Sequence, residues 1–344
     1  MFLLGCSPVK PSNAGAEGAG EQTAAGTAET EAPEVSLQAG DTEPEEQTGP
    51  WFALIPAEAR PGEPVTVGYS DDSGGAGPRK LQAVLLDSRG RRLAKAAFFS
   101  LAGQEPEFTA GELEAAILAI PSTAGSGNAL IRIESADGMI RDLPFTINSR
   151  EFFRETIPLN EENTDLRTKP DPEKTAESEQ LWAILSRTGK EIFCGGQFMA
   201  PVTSTRRTSG YGDRRIYSYI DGTSDSTIHA GIDYGVPTGT EVRACAAGRV
   251  VFAGLRIVTG NSVILEHLPG VYSLYYHMDK IAVSKGSMVE AGTILGQSGS
   301  TGLATGPHLH WEIRVSTEFA DPDVFLARPV LDKKDIINKL RAGD

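Results

Sequence analysis

The sequence predicts a mostly β protein with two sheet-forming regions, and three observations support this. Short runs rich in β-branched and aromatic residues, broken by glycine, proline and aspartate, fill residues 51–149 and recur beyond about residue 196. The residues between them carry the apolar pattern of one helix. The first fifty residues contain few large apolar side chains. We therefore divide the chain into a tether, a first β region, a connector, a second β region and a tail, at residues 1–50, 51–149, 150–195, 196–330 and 331–344.

The first segment has the composition of a flexible tether. Alanine, glycine, glutamate, threonine and proline dominate it, so it cannot bury enough apolar surface to offset the entropy of ordering. At its start, "LLGC" from Leu3 to Cys6 resembles the lipobox of bacterial lipoproteins. A truncated lipoprotein signal and a chance match both fit a start that lacks a charged n-region, and the tether favours the signal. The resemblance implies a lipidated Cys6, a membrane anchor and a place in the bacterial envelope.

The distribution of charge excludes one class of partner. The net charge is −14, and residues 1–50 contribute nine acidic residues against one lysine. Residues 201–344 hold 15 basic and 15 acidic residues, without a basic stripe that could follow a phosphate backbone. No apolar run approaches the roughly 18 residues of a membrane-spanning helix. We therefore expect no nucleic-acid partner, and the oligomeric state stays open.

Residues 51–149 are predicted to form an antiparallel sandwich. The stretches "DSRGRR" and "SADGMI" are typical of turns that join neighbouring strands. Several short strands within about 100 residues favour two packed sheets. The region resembles bacterial Ig-like modules, which implies a spacing or docking role, and no side chain in it suggests catalysis.

The connector is predicted to contain one helix. Asp171 is a suitable N-cap, Pro172 suits the first helical position, and Gly189 suits the end. The helix would present an apolar stripe to a neighbouring domain, made of Leu181, Trp182, Ile184 and Leu185.

The stretch "GPHLHWEIR", residues 306–314, is predicted to be a strand with one polar, titratable face and one apolar face. Side chains alternate along a strand, so His308, His310 and Glu312 share a face. The alternate positions, Leu309, Trp311 and Ile313, are apolar. Two histidines and a carboxylate on one face favour a functional site over a solvated strand face.

Two further segments hold candidate metal ligands. In "HAGIDYGVPTGT", His229 and Asp233 stand four residues apart, and the glycines make an extended pair more plausible than a helical one. Imidazole and carboxylate are ordinary zinc ligands, although this spacing alone is a weak signal. In "VYSLYYHMD", alternation would place Ser273, Tyr275 and His277 on one face. The fifth histidine, His267, has no identifiable partner and is interpreted as structural.

The cysteines leave two interpretations open. Cys194 and Cys245 could form a disulfide in an oxidising envelope, while a small buried thiol at Cys245 is equally compatible with its surroundings. Neither has the spacing of a zinc-binding cysteine pair.

Taken together, "HAGIDYG", "YYHMD" and "GSTGLATGPHLHWEIR" resemble the lysostaphin-type, LytM-like zinc metallopeptidases that cut peptidoglycan peptides. The resemblance covers about Thr208 to Pro322 and implies an antiparallel β-sheet metallopeptidase domain. Carried over by motif, it implies one zinc ion held by His229, Asp233 and His310. It assigns catalysis to His277 and His308, and no match exists for a further active-site tyrosine that some members use.

The chemistry of these residues agrees with the implied roles. Two neutral histidines and one carboxylate leave zinc an open coordination position, which is typical of catalytic sites. No His-Glu-x-x-His glutamate is present, so proton transfer and oxyanion stabilisation would fall to His277 and His308. Glu312 could orient a ligand imidazole or face solvent.

Three functions remain to be weighed. The first is a zinc endopeptidase of peptidoglycan stem peptides or cross-bridges, acting in cell-wall remodelling at the envelope. The second is a non-catalytic relative whose groove binds or regulates a cell-wall amidase, which the five filled site positions disfavour. The third is a surface binding protein in which the sandwich carries the activity.

Overall fold

The structure is a computed structural model that describes residues 50–71, 80–101 and 113–342. The predicted tether and Cys6 lie outside these residues. The first region forms two sheets with strand orders β1-β3-β7-β6 and β2-β9-β8-β4-β5, as predicted for a sandwich. Its strands are β1 (Trp51–Ile55), β2 (Glu58–Ala59), β3 (Pro64–Ser70), β4 (Leu81–Asp87), β5 (Arg92–Ala97), β6 (Phe99–Ser100), β7 (Leu113–Ala119), β8 (Gly127–Ser135) and β9 (Ile140–Ile147).

Both predicted hairpin turns are confirmed. The turn between β4 and β5 is closed by the Gly90 amide, which donates to the Asp87 carbonyl at 2.9 Å. The turn between β8 and β9 is closed by the Gly138 amide, which donates to the Ser135 carbonyl at 3.1 Å. The two predicted turns mark only the strands that flank them, and no comparable signal marks β7. All seven residues of β7 are buried, so the two-residue alternation that reveals a half-exposed strand is missing there.

The connector contains one strand and two helices rather than a single helix. They are β10 (Arg154–Pro158), α1 (Glu161–Thr168) and α2 (Pro172–Leu185). The predicted start of α2 is confirmed, because the Asp171 side chain accepts from the Glu173 amide at 2.8 Å. Its predicted end at Gly189 is wrong, since the helix is capped at Ser186.

The apolar stripe of α2 is also only partly as predicted. Leu181, Ile184 and Leu185 pack against buried side chains of the C-terminal sheet, but Trp182 is 61% exposed. One helical face can meet only one neighbour, and Trp182 lies outside the face that α2 presents to that sheet.

The second region is built around a ten-stranded sheet with the central order β11-β14-β21-β18-β17-β16-β19. A separate three-stranded sheet is formed by β10 of the connector together with β12 and β13 of the second region. The strands are β11 (Arg207–Ser209), β12 (Arg214–Ser218), β13 (Ser224–Ile228), β14 (Gly231–Tyr234), β15 (Glu241–Arg243), β16 (Gly248–Arg256), β17 (Gly260–Leu268), β18 (Val271–Ile281), β19 (Met288–Val289), β20 (Ile294–Ser298), β21 (Leu309–Val315) and β22 (Glu318–Ala320).

The predicted tail contains a helix that packs on the sandwich. Helix α3 (Pro322–Ala327) follows the large sheet, and α4 (Lys333–Ala342) lies against β1 and β3. Ile336 of α4 is fully buried, and a Cβ at Gly68 of β3 would lie 2.6 Å from its Cγ2 atom. Glycine at position 68 therefore permits the close approach of α4. Among the described residues, no helix has the length and apolar character needed to cross a membrane.

One of the apolar clusters joins the sandwich to the large sheet. Buried side chains of β1, β6 and β7 belong to the same packed cluster as those of β14, β18 and β21. Polar contacts cross the same boundary: Ser316 donates to the Ile117 carbonyl at 3.0 Å, and the Asp321 amide donates to the Gly62 carbonyl at 2.8 Å. The two regions therefore share one hydrophobic cluster, and the sandwich has a second cluster of its own.

Candidate metal centre

Strand pairing brings three predicted ligands together. Asp233 on β14 lies directly opposite His310 on β21, and His229 lies in the short link between β13 and β14. Asp233 Oδ1 is 3.0 Å from His229 Nε2 and 2.8 Å from His310 Nδ1. The two ring nitrogens are 3.0 Å apart. All three residues are buried, so the sheet itself holds one carboxylate and two imidazoles around a common point.

Each histidine of this trio has its second ring nitrogen engaged elsewhere. His229 Nδ1 donates to the Gly210 carbonyl at 2.7 Å, which leaves the Nε2 lone pair directed at the common point. His310 Nε2 is 3.4 Å from Glu312 Oε2, which leaves Nδ1 directed inward. Glu312 is only 2% exposed, so of its two possible roles the structure supports orientation of the ring rather than contact with solvent.

The trio fits a small tetrahedral cation. Zinc bonds of about 2.0 Å to nitrogen and oxygen would separate the ligand atoms by about 3.3 Å. The observed separations of 2.8 to 3.0 Å are only slightly shorter. Two imidazoles and one carboxylate are a donor set that zinc accepts, with a further position for water or substrate. The residues present therefore fit the metal that the sequence resemblance implies.

Burial and acidic neighbours act in opposite directions on the trio. Burial lowers the pKa of His229, which keeps its ring neutral as a metal ligand must be. Burial also lowers the pKa of His310, but its hydrogen bonds to Asp233 and Glu312 outweigh burial and raise that pKa to about 9. The two carboxylates thus favour the protonated form of His310, with which a bound metal ion would compete.

The two remaining candidate residues, His277 and His308, lie beside the trio. Their ring centroids are 4.7 Å apart, and His308 Nε2 is 3.8 Å from Asp233 Oδ1. His277 Nδ1 donates to the Thr301 carbonyl and His308 Nδ1 donates to the Gly306 carbonyl, both at 2.8 Å. Because each Nδ1 carries the proton in these bonds, each neutral ring has a free Nε2 lone pair to accept a proton.

The backbone at His277 corrects one expectation about strand faces. Ser273 and Tyr275 share a buried face as predicted, with their oxygens 3.0 Å apart, but His277 does not lie with them. His277 has a φ of 59°, in the left-handed region that few residues other than glycine adopt. This conformation interrupts the alternation, so the ring of His277 lies beside His308 and His310. Burial, followed by His308 and His310, lowers the pKa of His277 to about 3.

The residues interpreted as structural lie away from the cluster. His267 is fully buried, donates from Nδ1 to the Ala247 carbonyl at 2.7 Å and has Nε2 2.7 Å from Ser273 Oγ. Cys194 and Cys245 are both free thiols in the structure. Burial raises the pKa of Cys245 to about 12, so this thiol is protonated and unreactive at neutral pH.

Three side chains at the centre were missed by the analysis of the sequence. Arg215 donates to Asp233 Oδ2 at 2.7 Å and to Glu155 at 2.9 Å. The ring of Tyr276 stacks on His310 with a centroid distance of 5.4 Å and an interplanar angle of 8°. Only the position of Tyr276, next to His277, could have suggested it. Arg215 and Glu155 stand in ordinary strand sequences, 60 residues apart, and nothing local marks them.

Comparisons with known proteins identify a family region that contains all five candidate residues. The Peptidase family M23 profile matches residues 227–322. The chain is 37% identical over 145 residues to DD-carboxypeptidase/endopeptidase Mpg of Neisseria meningitidis serogroup B. The aligned region covers 41% of this chain and 32% of that protein. It is 41% identical over 105 residues to glycyl-glycine endopeptidase ALE-1 of Staphylococcus capitis. This aligned region covers 28% of this chain and 29% of that protein. The chain thus spans about a third of the length of these curated relatives.

A solved structure shares the fold over a longer stretch. A putative peptidase M23 from Pseudomonas aeruginosa matches with a TM-score of 0.52 and 24% identity, covering 77% of this chain and 93% of that one. This similarity extends beyond the matched family region and shows the mostly β architecture. Residues 227–322 are therefore a Peptidase family M23 domain of the lysostaphin type, carried in a mostly β chain.

Proposed function

We propose that the protein is a zinc-dependent endopeptidase that hydrolyses peptide bonds of bacterial peptidoglycan, in a stem peptide or a cross-bridge. One observation carries the proposal: the buried trio His229, Asp233 and His310 has two further histidines, His277 and His308, at its side. The names of the curated relatives, which include peptidoglycan DD-endopeptidases and a glycyl-glycine endopeptidase, support the choice of substrate.

The roles of the residues follow from their hydrogen bonds. The trio would hold zinc, which when bound supplies Lewis acidity for activating water and polarising a carbonyl group. With Nδ1 donating to a backbone carbonyl, His277 and His308 each keep Nε2 free to take a proton from the attacking water. The resulting imidazolium could then donate that proton to the leaving amine, or a hydrogen bond to the developing oxyanion.

Digestion of purified peptidoglycan by the full-length, zinc-loaded protein tests this function. We expect new amino and carboxyl termini in the peptides, identified by mass spectrometry, and their loss when a chelator removes the metal. The mass of the products distinguishes a stem-peptide bond from a cross-bridge bond. Zinc-loaded, folded protein that binds peptidoglycan but releases no product would contradict the proposal and favour the amidase-regulating alternative.

We further propose that the protein works in the bacterial envelope, anchored by a lipid on Cys6. The lipobox resemblance of "LLGC" and the acidic, apolar-poor tether after it support this location. Expressed behind an intact lipoprotein signal, the protein should fractionate with membranes, and Cys6→Ala should move it to the soluble envelope fraction. Identical fractionation of the two forms would overturn the anchor.

A further inference from the structure

The second oxygen of the Asp233 carboxylate has a dedicated partner. Oδ1 faces His229 and His310, whereas Oδ2 accepts a hydrogen bond from Arg215 Nη2 at 2.7 Å. The two oxygens of one carboxylate are therefore divided between the candidate metal position and a guanidinium group. A carboxylate held in this way can offer a metal only one oxygen.

Arg215 is itself held by a residue of the connector. Its Nε donates to Glu155 Oε1 at 2.9 Å, and β10 and β12 pair in parallel with Glu155 directly opposite Arg215. The Glu155 oxygen also accepts from Ser209 Oγ at 3.2 Å. The side chains of Arg215 and Asp233 are only 13% and 8% exposed, so solvent screens their interaction little.

The chemistry of arginine suits this position. The guanidinium group is planar and always charged, and its donors point in fixed directions, so two carboxylates on different edges define its orientation. Glu155 fixes the guanidinium plane from β10, and the guanidinium in turn fixes the rotation of the Asp233 carboxylate on β14. Neither Glu155 nor Arg215 lies within the matched family region, residues 227–322.

We propose that Glu155 and Arg215 form a positioning relay that keeps Asp233 as a one-oxygen metal ligand, so that the connector strand β10 sets the metal affinity of the site. The inference rests on the proposed metal site. Partners that orient a ligand from outside the coordination sphere change metal affinity by about 10- to 100-fold when they are removed. We therefore place Arg215 at the upper end of this range and Glu155 at the lower end.

Metal titration of the full-length protein tests the relay. The dissociation constant for zinc is measured by competition with a chromophoric chelator, and the visible spectrum of the cobalt-substituted protein reports the coordination number. The variants are Arg215→Ala, Arg215→Lys and Glu155→Gln. Arg207→Ala is the matched control, because Arg207 on β11 forms an equally close pair with Asp323, at 2.6 Å, without touching a candidate ligand.

We expect Arg215→Ala to weaken zinc binding about 100-fold and to reduce the cobalt absorption, because a released carboxylate can bind through both oxygens. The Arg215→Lys variant should bind zinc more tightly than Arg215→Ala but less tightly than the parent protein. An ammonium group keeps the positive charge but lacks the fixed N–H donors of the planar guanidinium group. Glu155→Gln should weaken binding about 10-fold, and Arg207→Ala should match the parent.

Two results would overturn the relay: parental affinity and cobalt spectrum in folded Arg215→Ala, or equal losses in Arg215→Ala and the Arg207→Ala control. If Arg215→Ala does not fold, Arg215→Lys and Glu155→Gln still decide the question, because parental affinity in both contradicts the relay. The readout does not involve peptidoglycan. A parent protein that binds zinc but hydrolyses nothing would therefore overturn the proposed function while the affinity ratios still decide the relay.

Discussion

His310→Ala should abolish stoichiometric zinc binding and hydrolysis together. The change deletes one of three protein ligands and leaves Glu312, which is 2% exposed, without its imidazole partner. His229→Ala and Asp233→Ala should have the same double effect, because each removes another member of the trio. Elemental analysis of the purified, folded variants measures the metal content, and we expect less than about a tenth of a zinc ion per chain.

The control for this loss is the neighbouring histidine on the same chain segment. His308 is two positions from His310 and loses the same imidazole ring in the alanine variant. Its Nδ1 donates to the Gly306 carbonyl, whereas His310 contacts the carboxylate of Glu312. If His308→Ala lost as much zinc as His310→Ala, the assignment would be reversed and His308 would be a ligand.

His277→Ala and His308→Ala should each lower turnover by about 100-fold or more while retaining about one zinc ion per chain. Each change removes a free Nε2 that can accept or donate a proton beside the trio but removes no atom of the trio itself. Turnover is measured on a soluble peptide fragment of peptidoglycan at saturating zinc, so weak metal binding cannot imitate a loss of proton transfer.

The pH dependence gives His277 a second readout. Because burial lowers the pKa of His277 to about 3, protonation of its Nε2 should not reduce the turnover of the parent protein until the pH approaches that value. If the turnover of His277→Ala or His308→Ala stayed within a few-fold of the parent value, the substituted histidine would be excluded from catalysis.

Periodicity in the sequence predicts the faces of strand β21, whereas the choice of candidate ligands and catalytic residues is implied by the motif resemblance. In β21 the alternation predicted that Leu309, Trp311 and Ile313 would be buried, and all three are fully buried opposite the face of His310. Asp233 and His310 lie opposite each other on paired strands, so two of the motifs meet by simple register. The strand face predicted from the sequence and the observed strand pairing therefore both place His310 beside Asp233.

Features that depend on long-range contacts could not be predicted. The ring of His277 reaches the cluster only because its φ is 59°, and nothing in "YYHMD" requires that conformation. Arg215 and Glu155 meet through parallel pairing across 60 residues, and parallel pairs need long crossovers that leave no local turn signal. Strand β7 is buried on both faces, which removes the alternation that would have marked it.

The core shared by the sandwich and the large sheet couples the stability of the two regions. Side chains of β1 and β7 pack in the same cluster as those of β18 and β21, so separating the regions exposes apolar surface on both sides. We therefore expect unfolding of either region to favour unfolding of the other. By linkage, a metal ion bound only by the folded trio should also slow hydrogen exchange in the sandwich strands, far from any candidate ligand.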